Sequence, residues 1–71
     1  MTEESAYKYL KRTGSIFVKA STIVNNNQMR IVVERYHSFG NAKIAIKSWL
    51  NSGWCATYIN KTQAERMGWY D

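Results

Sequence analysis

The chain has 71 residues, ten of them Lys or Arg and five Asp or Glu, with one His, one Cys and no Pro. That length is enough for one small domain and too short for two. A single cysteine excludes an internal disulfide, and Cys55 with His37 as the whole supply of soft ligands excludes a Cys/His zinc site.

Residues 3–13 are expected to form a helix. Glu3 and Glu4 fall in its first turn and Lys11 and Arg12 in its last, as the helix dipole favours. Gly14 supplies the stop. Ala6, Tyr9, Leu10 and Thr13 share one side, Lys8, Lys11 and Arg12 the other, with Tyr7 near the boundary. The apolar stripe is narrow, so this helix is expected to rest on the fold rather than to nucleate it.

Residues 15–24 are rich in β-branched and aromatic side chains and predict a strand. Asn25, Asn26 and Asn27 predict a turn, because Asn tolerates left-handed backbone angles. Residues 28–37 predict a second strand, with Ile31 and Val33 on one face and Arg30, Val32, Glu34 and Tyr36 on the other. The two runs make a hairpin.

Asn41 is expected to cap a helix running to Ser52. Ala42, Ala45, Ile46, Trp49 and Leu50 give it the best amphipathic pattern in the chain, with Lys43 and Lys47 on the opposite side. Gly53 ends it, and Trp54 is placed to fold back on Leu50. Residues 54–60 predict a third strand. Thr62-Gln63-Ala64-Glu65 has the form of a capping box, which starts a last short helix at Gln63.

The order α-β-β-α-β-α predicts an α+β fold. A small antiparallel or mixed three-stranded sheet would carry the central helix on one face, with the third strand beside the first. Ile46, Trp49 and Leu50 would bury against Ile16, Val18, Ile31 and Val33. With no disulfide or metal as a staple, a chain this short needs a well-packed core, a partner, or pairing as a homodimer.

Catalysis is not expected. His37 and Cys55 are not spaced as a nucleophile and its base, and no third group orients them. Cys55 alternates within a strand and is expected to pack as a small core residue. The scattered glycines form no phosphate-cradling loop, and no cofactor is implied. The acidic, polar start of the chain is unlike a secretory signal, and no apolar run approaches the roughly 20 residues of a membrane span. A cytoplasmic location without membrane contact is the expectation.

Charge points instead to binding. Positions 8 to 61 hold nine basic residues and one acidic residue, Glu34. Such a body attracts nucleic acid or an acidic protein surface. Two arrangements would use it. One is the outer face of the sheet, where Phe17, Lys19, Ser21, Arg30, Tyr36, Trp54 and Tyr58 would interleave rings and cations for base stacking, unless a terminal helix covers that face. The other is the set of helix cations, Lys8, Lys11, Arg12, Lys43 and Lys47, gripping phosphates. A nucleic-acid-binding or nucleic-acid-associated regulator is the leading expectation. The alternative is a phage-type inhibitor or antitoxin-like module that blocks an acidic surface of a host protein. In its compact, Lys- and Asn-rich, proline-free composition the chain resembles small early proteins of bacterial viruses.

Overall fold

A computed structural model describes residues 1–70. Helix α1 (Glu3–Thr13) is followed by strands β1 (Ile16–Val24) and β2 (Gln28–Tyr36), helix α2 (Phe39–Asn51), strand β3 (Cys55–Ile59) and helix α3 (Lys61–Arg66). The strands form one antiparallel sheet in the order β2-β1-β3, an α+β architecture. α2 therefore carries the chain across the central strand from one edge to the other.

α1 has the predicted bounds. Thr2 caps it, its hydroxyl accepting from the Ser5 N–H at 3.1 Å, and Gly14 closes it at φ 89° with its N–H on the Leu10 carbonyl at 2.7 Å. The hairpin also forms as expected, but its loop inverts the face of β2. Asn25, Asn26 and Asn27 all take positive φ, and the three-residue loop sets Val24 opposite Gln28. Counting that pair, nine consecutive pairs run without a bulge, so Val33 lies opposite Lys19 and Tyr36 opposite Ile16. Ile31 and Val33 thus share the face of Phe17 and Lys19, while Arg30, Val32, Glu34 and Tyr36 share that of Ile16 and Val18. A register set by loop geometry overrides the matching of apolar residues by alternation.

The sheet is covered on both sides. On one side α1 and α2 close a core of Ala6, Leu10, Ile16, Val18, Ala42 and Tyr58, with Tyr9, Tyr36, Phe39, Ile46 and Trp49 packed around it. Phe39 stacks on Tyr58 at 5.5 Å between centroids and meets Tyr7 edge-on at 5.3 Å. On the other side Phe17, Ile59 and Ala64 form a second, smaller core with Val33 and Trp69. That cover is partial: α3 and Trp69 lie over one end of the sheet, and Ile23, Met29 and Ile31 stay exposed at the hairpin end.

Four helix boundaries and contacts differ from expectation. α2 begins at Phe39, capped by Ser38, whose hydroxyl accepts from the Asn41 N–H, so the cap lies three residues before Asn41. Leu50 is 52% exposed rather than buried. The Schellman closure at Gly53 (Trp54 N–H to Trp49 carbonyl, 3.0 Å) carries Trp54 back onto the Trp49 ring, 4.6 Å away, instead of onto Leu50. α3 is started by a capping box of Asn60 and Gln63, not of Thr62 and Glu65. The strand stops at Ile59, which puts Asn60, a strong cap, in the capping position.

Candidate functional site

α1 and α2 pack against the same face of the sheet, so their outward cations share one side of the molecule. Lys8, Lys11 and Arg12 come from α1, Lys43 and Lys47 from α2. All five are exposed. The Lys8 ammonium lies 3.3 Å from Glu4 and that of Lys43 lies 3.1 Å from Glu3. Both pairs are solvent-exposed and contribute at most about 1 kcal/mol each, so either lysine is released at little cost to a stronger anion. Lys11 and Arg12 extend over the rings of Tyr7 and Tyr9, at 5.6 and 5.4 Å from their centroids, which orders the stems and leaves the charges outside. Lys47 makes no ion pair among the described residues.

Two grooves flank α1, and they differ in character. One, of about 350 Å³, is lined by Met1, Ser5, Lys8, Tyr9, Arg12 and Asn60. Its wall is tied down where the Tyr9 hydroxyl accepts the Lys61 backbone N–H at 3.1 Å. The other, of about 460 Å³, is open and lined by Glu3, Glu4, Tyr7 and Phe39. Cations thus border the first groove and carboxylates the second.

The stacking platform does not form as the sequence suggests. Tyr58 is buried in the helix-side core, and Tyr36 is half-buried beside it. The Tyr36 hydroxyl donates to Glu34 Oε1 at 3.0 Å. Burial first, then that bond and the nearby negative charge, push the Tyr36 hydroxyl above its ordinary pKa. Burial, with the Glu3 charge second, does the same for Tyr58. Arg30 sits on the same face as Tyr36 but far along the hairpin, opposite Thr22. Of the predicted platform, Phe17, Lys19 and Ser21 stand on the opposite face, with Lys19 half-buried between Val33 and Thr57. The same face also carries Trp69, packed on the Phe17 core, which sequence reasoning missed. Trp69 meets Phe17 edge-on at 4.7 Å and carries the Arg35 guanidinium at 5.1 Å.

One signal pointed to Trp69. Gly68-Trp69 repeats Gly53-Trp54: each glycine has positive φ, and each tryptophan N–H returns to the carbonyl five residues before it. The sequence shows the repetition but not the ring each tryptophan meets.

Cys55 is exposed, contrary to the core role expected of it, because β3 is an edge strand and its first residue lies beyond the cover of α3. His37 follows Tyr36 at one end of the sheet, with Nδ1 3.2 Å from the Gly14 carbonyl oxygen. Cys55 pairs with Ser21 toward the other end. Ile16 and Ser21 are five strand residues apart, about 17 Å at the usual rise, so the two side chains do not form a catalytic pair. Among the described residues no three of His, Cys, Asp and Glu gather as a metal site requires, and no helix is long and apolar enough to cross a membrane.

No family model matches the chain, and no curated protein or solved structure matches it.

Proposed function

We propose that the chain acts by binding rather than by catalysis, and that it grips a nucleic acid through its phosphates with the outer surface of the α1–α2 layer. The observation that carries this reading is the placement of α1 and α2 on one face of the sheet, which gathers Lys8, Lys11, Arg12, Lys43 and Lys47 on one side. Phosphate contacts of this kind supply affinity without sequence selection. Tyr36 and Tyr58 take no part in the reading, since their rings belong to the core and its margin. Duplex is therefore the favoured form over unpaired strands, whose tight binding depends on exposed stacking rings.

Fluorescence titration of a labelled random-sequence duplex, and of a single strand of equal length, tests this. The duplex is expected to bind at least as tightly as the single strand, with affinity falling steeply as salt rises. Preferential binding of the single strand contradicts the phosphate grip. Failure to bind either at physiological salt removes the nucleic-acid reading and leaves an acidic protein surface as the target class.

A further inference from the structure

Strand β2 has a strand neighbour on one side only. Its nine residues stay in register with β1 throughout, so no bulge turns the outer edge away. None of the nine is buried, and none is Pro or Lys, the residues that commonly blunt a free edge. Met29 and Ile31 are 62% and 45% exposed on the face that α3 leaves open. The other edge, β3, has only five residues and runs directly into α3 at Asn60.

We propose that two copies of the chain pair antiparallel through β2 about a two-fold axis at Val32, joining their sheets into one of six strands. The sequence of β2 is complementary to itself in that register. Arg30 of each copy lies opposite Glu34 of the other, and Ile31 opposite Val33. Moving the axis to Ile31 or Val33 loses the match, because Arg30 then meets Val32 or Tyr36. Glu34 is prepared for a second partner: Tyr36 and Trp49 both donate to Oε1, leaving Oε2 for the guanidinium. The same register sets the Met29–Ile31–Val33 rows of the two copies side by side on the open face. Because directly opposed residues point to one face, both helix layers lie on the same side of the joined sheet. The pairing does not depend on the polyanion reading, and it is tested on protein alone.

Sedimentation equilibrium of the intact chain from about 10 μM to about 1 mM reads the association directly. A monomer–dimer equilibrium within that range is expected. Arg30→Glu replaces two attractions by two repulsions and is expected to weaken the dimer about tenfold or more, while Arg30→Lys retains most of it. Arg30 is exposed at the hairpin, so the thermal transition of Arg30→Glu at low concentration should match the parent and shows that the fold is intact. A parent chain that stays monomeric throughout, or a dimer indifferent to Arg30→Glu, overturns the proposal.

Discussion

The indole N–H of Trp49 donates to Glu34 Oε1 across 3.2 Å, joining the last turns of α2 to the edge strand β2. The Tyr36 hydroxyl reaches the same oxygen at 3.0 Å. Between Lys8 and Lys61 Glu34 is the single acidic residue, and its place in an otherwise basic body follows from these two donors. Glu34→Ala strands both donors in a half-buried setting and is expected to cost about 1–3 kcal/mol. At about 4–8 °C per kcal/mol for a domain of this size, the loss is measurable as a lowered Tm. Glu34→Gln keeps an acceptor and should lose less. An unchanged Tm in Glu34→Ala would show that the bonds contribute nothing to stability.

Neighbouring residues on α2 give a sharper contrast. Trp49 packs against the core, touches Trp54 and bonds Glu34, whereas Leu50 is largely exposed. Trp49→Ala is expected to cost about 3 kcal/mol or more, and Leu50→Ala less than about 1 kcal/mol. Urea unfolding of the two variants decides this. A larger loss for Leu50 would mean that the helix is rotated from the position described.

Much of the fold is legible in the sequence because local signals act alone there. Gly14 can end α1 from its own backbone preference, and three consecutive Asn can turn the hairpin without help. The face of β2 is not legible. Ile16, Phe17 and Val18 are all buried because the sheet is covered on both sides at that end, so the alternation that marks an inner face is missing from β1. Loop geometry then decides the register, and with it the fate of Tyr36. The helix cations were readable as residues, but their common side depends on α1 and α2 sharing one face of the sheet, a long-range outcome.

The second core rests on Trp69. Trp69→Ala uncovers Phe17, which is buried, and removes the ring beneath Arg35. A loss of about 3 kcal/mol is expected, near the low end for a tryptophan because the ring is only half-buried. Gly68→Ala forces φ 91° on a residue with a Cβ and should cost about 1–2 kcal/mol by itself, although a Cβ there meets open space. Equilibrium unfolding that leaves Trp69→Ala as stable as the parent would contradict the second core.

Alkaline pH should weaken the fold through Tyr36 and Tyr58. Both hydroxyls have folded-state pKa values raised above the ordinary 10.0. The folded chain therefore holds its phenolic protons more tightly than the unfolded chain. The resulting stability is complete below about pH 10 and is lost as pH rises through the folded values. Tyr58→Phe should flatten the decline in a Tm series from neutral pH upward. An identical alkaline slope in Tyr58→Phe would show that this hydroxyl is not the group responsible.

The most direct test of the phosphate grip is the salt dependence of duplex binding in the parent and in a Lys11→Gln, Lys47→Gln double variant. Neither lysine takes part in an ion pair among the described residues, and both are exposed, so the fold should be untouched. Each phosphate contact contributes about 0.9 to the slope of log affinity against log salt. The double variant is predicted to bind more weakly, with a slope shallower by about two contacts. Equal affinity and equal slope in the two proteins would contradict the helix layer as the binding surface.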